Sequence, residues 1–286
     1  MTDNASNLPS ASDAGVMVVK LGGELAESRE ALDGIAASLG AAVAAGRRII
    51  VVHGGGKQTT ELGELLGMKS TFVGGRRVTD AAMVDVLTMA IAGTARMAIL
   101  AALRRAGVRS IGVSGVDAAI VRARRRPPVT VLDPETGIST TVDLGLVGDV
   151  VGVDPAALLA FLDAGIVPIV APMSADDEGV VYNINADTVA VALAKALQAD
   201  TWIVASNVAG VRGPDGEVLA VLDVAEAVEL IRSGVVTGGM IPKLEAAIEA
   251  VRSGVGSVRL VDGAAPGVLA SALAGANVGT LITAHR

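Results

Sequence analysis

A chain of 286 residues is long enough for one large α/β domain or two smaller lobes with complete cores. Its 51% hydrophobic content comes from Ala, Val, Leu and Ile; two Phe, one Tyr and one Trp leave no stacking platform for single-stranded nucleic acid. A net charge of −7 argues against general nucleic-acid binding, the absence of cysteine excludes disulfides and thiolate metal sites, and two histidines are too few for a His-rich one.

Residues 1–15 are polar and rich in small side chains, without the basic start and apolar run of a secretory signal, and read as a flexible leader. Val16–Leu21 is an apolar run broken only by Lys20, as in a buried parallel strand. Helical spacing runs from Glu27 to Ala45, a second buried strand from Arg48 to His53, and another helix from Gln58 to Leu66. Asp80–Ala106 reads as one long helix with Thr79 or Asp80 as N-cap. Its most apolar part, Val86–Leu103, carries Arg96, so no uncharged run reaches the ~18–20 residues of a membrane span. The expectation is a soluble cytoplasmic protein with neither membrane nor nucleic acid as partner.

From Ser110 to Val153 the pattern changes to short β-rich pieces with turn signals at Asp133-Pro134 and Glu135-Thr136-Gly137, which predicts hairpins decorating the sheet. Within it, Arg122, Arg124, Arg125 and Arg126 followed by Pro127-Pro128 read as a solvated strand end or loop. A helix at Pro155–Gly165 and a strand at Ile166–Ala171 lead to a turn at Ser174–Gly179, the best candidate for a hinge between two lobes. Then come Val180–Asn183, a helix over Asp187–Ala199, a strand over Thr201–Ala205 and a tight turn at Pro214-Asp215-Gly216. Helices over Val224–Ser233 and Gly239–Ser253 precede strands at Ser257–Val261 and Gly279–Thr283, which flank a helix near Pro266–Ala274. Alternation of this kind favours a mainly parallel sheet with helices on both faces.

Four features carry phosphate chemistry. Lys20-Leu21-Gly22-Gly23 ends a strand; a lysine at the edge of an apolar strand is costly to bury without an anion, and the glycines let backbone amides approach phosphate oxygens. His53-Gly54-Gly55-Gly56 links a strand to a helix start, where amides and helix dipole together favour anions. It is not a Walker loop, because Gln58 follows Gly56-Lys57 and Val51 stands where the first glycine belongs. Asn183-Ile184-Asn185-Ala186-Asp187 supplies amides and a carboxylate just before a helix. Thr237-Gly238-Gly239-Met240-Ile241-Pro242-Lys243 opens a helix with Lys243 one turn in, against the dipole and within reach of a phosphate at the helix start. Phosphoryl transfer needs this set, since it asks for positioning and charge stabilisation more than covalent work.

In their order and spacing, these features resemble the amino acid kinase family, and within it the branch that phosphorylates N-acetyl-L-glutamate. Gly75-Arg76-Arg77-Val78-Thr79-Asp80 and Asp143-Leu144-Gly145-Leu146-Val147-Gly148 complete the resemblance, which runs from about Val16 to Thr283. It implies an open αβα sandwich with a mainly parallel central sheet and two lobes: residues 16–178 for the acyl-amino acid and dimerisation, residues 179–286 for ATP. It implies that Gly55, Gly56, Arg77 and Asn183 bind N-acetyl-L-glutamate, with Arg77 on the α-carboxylate. Gly22 and Gly23 would contact the phosphates, and Ser206, Asn207 and Gly239 would lie on the nucleotide side. Lys20 and Lys243 would neutralise the transferred group and Asp187 would hold both. The cofactors implied are ATP and the Mg²⁺ carried with it, with no dedicated protein metal site; the assembly implied is a homodimer. A kinase of an N-acylated aminoadipate and a catalytically silent amino-acid-binding regulator are the alternatives of the same fold.

The chain departs from the family in three places. Ser206-Asn207 stands where Ser-Asp or Thr-Asp is usual, Gly93-Thr94-Ala95-Arg96 replaces a Lys/Asn-containing stretch, and Arg76 adds a charge beside Arg77. The short leader and the late segment Val268–Leu273 lack the features of arginine-inhibited, hexameric members, so neither property is expected.

Overall fold

The structure, a computed structural model, describes residues 15–26, 28–132 and 139–285. The expected leader, apart from Gly15, and the turn signals at Asp133-Pro134 and Glu135-Thr136-Gly137 lie outside the described residues. The centre is an eight-stranded sheet in the order Val221–Asp223, Thr280–Thr283, Ser257–Asp262, Thr201–Ser206, Val16–Leu21, Arg48–His53, Val167–Ala171, Ser110–Ser114. Every pairing is parallel except that of Ser257–Asp262 with Thr280–Thr283. The α/β class with a mainly parallel sheet is therefore observed. The sheet also divides in sequence: strands before residue 172 make one half, strands after residue 200 the other, and they meet where Val16–Leu21 pairs with Thr201–Ser206.

Strand alternation builds two cores. Val18, Ile50, Val52, Val170, Trp202, Val204 and Leu260 face the helices Ala186–Ala196 and Met240–Arg252. Val19, Leu21, Ile49, Val51, Ile203 and Val261 face Arg29–Ala44, the end of the 81–105 helix and Val268–Leu273. Buried alanines such as Ala36, Ala102, Ala194 and Ala247 let these helices approach closely, which explains the small-residue composition. By the same alternation Lys20 points to the first face and His53 to the second.

The long helix is present as Ala81–Arg105, with the Asp80 side chain accepting from Met83 N at 2.8 Å as its cap. By length and composition it is the one described helix suited to cross a membrane. Here it packs on the protein, burying Val86, Leu87, Ile91, Ile99 and Leu103. Its middle, Thr88–Ala95, is π-helical, which the apolar spacing did not reveal. The widened turn presses Ile91 against Gly55, where a Cβ would sit 2.8 Å from Ile91 Cγ1.

Two expectations change, while the four arginines do lie at a solvated strand end. Ser110–Ser114 is an edge strand of the central sheet, parallel to Val167–Ala171, not part of a decoration. The hairpins that do decorate it are a four-stranded sheet, ordered Val181–Asn183, Met173–Ala175, Val121–Arg125, Gly148–Val153, and the pair Val129–Leu132 with Ser139–Val142. Ser174–Gly179 is a hairpin connection: Ser174 lies in a strand and its hydroxyl donates to the Val121 carbonyl, while Asp176 accepts from Glu178 N and Val180 N. Of the four arginines, Arg125 pairs with Asp143 at 2.8 Å and Arg126 with Asp149 at 2.5 Å.

Candidate active site

The first glycine turns meet at the C-terminal ends of neighbouring strands, where open parallel sheets bind ligands. Gly22 N donates to Ala205 O at 2.9 Å and Gly54 N to Leu21 O at 3.1 Å, so these two amides extend the sheet and are not offered to a ligand. The amides of Gly23, Gly55 and Gly56 have no hydrogen-bond partner among the described residues. The turns touch backbone to backbone: a Cβ on Gly23 would lie 3.2 Å from Gly55 N, and one on Gly54 3.2 Å from Gly23 N. Close approach, rather than positive φ, is the reason for glycine at both positions.

Lys20 and Asp187 come together from the two halves of the sequence. Lys20 keeps 9% exposure, and its Nζ lies 3.1 Å from Asp187 Oδ1. That oxygen has no aligned hydrogen bond, so the contact is ionic. Asp187 is placed by its helix, whose cap is Asn185: the amide oxygen accepts from Asp187 N at 2.7 Å and Thr188 N at 3.4 Å. Gly239 and half-buried Lys243 open the Met240–Arg252 helix, and with Asp187 they line a cleft of about 830 Å³. Ser206 ends the strand beside Val16–Leu21; its hydroxyl is buried without a partner among the described residues, and Asn207 after it is exposed.

Arg77 sits at the other end of the site, only 7% exposed. It donates to Gly56 O at 2.8 Å, to Thr60 Oγ1 at 3.0 Å and to Ser70 Oγ, and its guanidinium lies 4.7 Å from the Phe72 ring centre. Three of its five N–H donors are thereby committed, two on Nη2 and one on Nη1. Burial pushes its pKa down from the ordinary guanidinium value. Asn183 reaches Thr79 Oγ1 at 3.4 Å, and Thr79 Oγ1 donates to Arg77 O at 3.1 Å. The segment Asp143–Gly148 ties these strands together: Thr79 N donates to Leu144 O, Leu146 N to Thr79 O and Asn183 N to Leu146 O. Gly145, at φ 76°, passes so close to Thr79 that a Cβ would lie 2.3 Å from its carbonyl oxygen.

Sequence reasoning missed several residues that hold this arrangement. Gln58 Nε2 donates to Gly23 O at 3.3 Å, bridging the glycine turns, and Thr60 and Ser70 grip Arg77. None carries a local signal, because each acts through a partner distant in sequence.

His53 lies beneath the glycine turn, 1% exposed, with Nδ1 donating to Gly54 O at 2.9 Å and Nε2 buried without a partner. Burial, reinforced by the nearby Arg96 charge, lowers its pKa from 6.5 to about 4 despite the Gly54 bond. Between those values the unfolded chain binds a proton that the folded chain refuses, so stability falls as pH drops through the window. The contribution is roughly 2–3 kcal/mol. Denaturant melts at pH 7 and pH 4.5 should show a smaller acid loss in His53→Gln than in the parent; equal losses would remove His53 from this account.

A strand-end lysine, a helix-start aspartate and converging glycine amides on this sheet suit a phosphoryl-transfer protein. The chain belongs to the amino acid kinase family, whose profile matches residues 15–262. It is 40% identical to the acetylglutamate kinase of Acidiphilium cryptum (strain JF-5), over 94% of this chain and 90% of that protein. It is 42% identical to the acetylglutamate kinase of Solibacter usitatus (strain Ellin6076), over 94% of this chain and 99% of that one. Among solved structures, N-acetylglutamate synthase from Neisseria gonorrhoeae superposes with a TM-score of 0.79 at 26% identity, covering 95% of this chain. This chain spans only 62% of that synthase.

Proposed function

We propose that the protein transfers the γ-phosphoryl group of ATP to the γ-carboxylate of N-acetyl-L-glutamate, giving the acyl phosphate at the second step of arginine biosynthesis. The observation that carries this reading is that a buried arginine and a buried lysine paired with an aspartate are both held beside the glycine turns. Arg77, bonded to Gly56 O, offers its remaining donors to an α-carboxylate. Lys20, Asp187 and Lys243 gather on the phosphate side.

In this reading Gly55, Gly56 and Asn183 hold the acyl-amino acid, and the Gly23 amide meets the phosphates. The Gly22 amide is already spent on Ala205 O. The buried Ser206 hydroxyl and the Gly23 amide, without partners among the described residues, fit a polyphosphate, and Asn207 and Gly239 flank it. Mg²⁺ travels with the nucleotide, held mainly by phosphates and waters. Among the described residues no three His, Cys, Asp or Glu side chains group to hold a metal.

The acceptor carboxylate is ionised at neutral pH, so no general base is needed. Its oxygen attacks the γ-phosphorus in line; the bond to the β-phosphate oxygen breaks, and its electron pair leaves with ADP. Lys20 and Lys243 neutralise the oxygens as charge spreads, and Asp187 keeps Lys20 aimed.

Dimerisation through the first half of the sheet is part of the same proposal. Ser110–Ser114 is an edge strand, and Met89 and Met97 on the helix packed beside it are 48% and 63% exposed. The cytoplasm is the proposed compartment. The test is acyl phosphate formation from acetylglutamate, with acetylaminoadipate as the competing acceptor. Acetylglutamate should have the higher kcat/KM, and the reverse order would replace the proposed substrate.

A further inference from the structure

We propose that Arg76 is a catalytic residue whose guanidinium grips the oxygens of the phosphoryl group in transfer. The proposal rests on the phosphotransfer reading above.

Arg76 and Arg77 share a two-stranded hairpin, Phe72–Val73 with Arg76–Arg77, turned by Gly74 and Gly75 at φ 55° and 73°. Positive φ at both central residues gives a tight turn that suits the strand twist. The tip is seated on a neighbouring strand, since a Cβ on Gly74 would touch the Val131 side chain at 3.4 Å. Successive residues of a strand face opposite ways. Arg77 therefore turns inward to Gly56, Thr60 and Ser70, while exposed Arg76 lines the cleft with Asn185, Asp187, Gly239 and Lys243. These are the residues of the phosphate end, not of the α-carboxylate end.

Charge in the cleft points the same way. Lys20 is paired with Asp187, and Lys195 with Glu249 at 2.8 Å. Among the described residues, neither Arg76 nor Lys243 has a hydrogen-bond or ion-pair partner for its side chain. Two cations thus face the cleft with Glu245 as the one lining carboxylate outside those pairs. A phosphoryl group in transfer carries charge on three oxygens, and a planar guanidinium can hold two of them at once where an ammonium holds one. The step is unchanged: the carboxylate–phosphorus bond forms, the bond to ADP breaks, and no proton moves to or from Arg76.

The test uses Arg76→Ala and Arg76→Lys in the full chain, read two ways. In steady state, Arg76→Ala should lower kcat about 30- to 100-fold with both KM values within about twofold of the parent. Arg76→Lys should keep part of the rate, and added guanidinium ion should restore part of the alanine variant's. Independently of the acceptor, Arg76→Ala should weaken binding of MgADP with aluminium fluoride, a mimic of the transferring group, while leaving MgADP binding unchanged. Unchanged kcat with unchanged aluminium fluoride binding, or a rise in KM alone, would overturn the role. A parent enzyme inactive on acetylglutamate but with Arg76-dependent aluminium fluoride binding would overturn the proposed substrate and leave Arg76 in place.

Discussion

Replacing Lys20 by alanine is expected to slow phosphoryl transfer about 10²- to 10⁴-fold, or about 3–5 kcal/mol of barrier. Two losses combine. The transferred group loses a cation held rigidly at a strand end, 9% exposed and placed by parallel partners on both sides. The Asp187 carboxylate, 3.1 Å from the missing ammonium, is left as an uncompensated negative charge near the incoming phosphates. The double variant Lys20→Ala/Asp187→Ala should therefore be less impaired than the sum of the single losses. Single-turnover rates on all three proteins measure this. A Lys20→Ala rate within about threefold of the parent would show that the pair is structural.

Arg77→Ala is expected to act on the substrate and on the fold together. Its guanidinium ties Gly56, Thr60 and Ser70 to the hairpin at Phe72, so the variant releases the glycine turn and, in the proposed role, also loses the α-carboxylate partner. The KM for acetylglutamate should rise about 10²-fold, as for a lost charge-assisted pair worth roughly 2–3 kcal/mol. The melting temperature should fall by several degrees, because a buried side chain leaves unpaired acceptors behind. Arg77→Lys keeps the charge but loses the fork, and should recover stability better than it recovers KM. A normal KM in Arg77→Ala would move the α-carboxylate elsewhere.

Much of this site was legible because its signals are local. The apolar runs at Val16–Leu21, Arg48–His53 and Thr201–Ser206 are central strands, and the glycines after the first two mark where the chain turns at the sheet edge. Lys20 stood out as the one charge in its strand. Other parts depend on contacts across the sequence and left no local trace. Gly22 and Gly23 look alike in sequence, yet one amide is used by Ala205 and the other has no partner among the described residues. The turn at Gly74-Gly75 was not among the elements read from the sequence, and the opposite facing of Arg76 and Arg77 emerges only from the pairing. Asp143–Gly148 was visible as a motif; its work in bonding Thr79 to Asn183 was not. The π-helical turn at Thr88–Ala95 answers to the packing of Ile91 on Gly55, which no helical periodicity encodes.

Transfer to a carboxylate is checked by trapping the product. With MgATP, acetylglutamate and hydroxylamine, the protein should release ADP and form acetylglutamyl hydroxamate in equal amounts, both dependent on acetylglutamate. ADP release unaffected by acetylglutamate, or release without hydroxamate, would contradict the account.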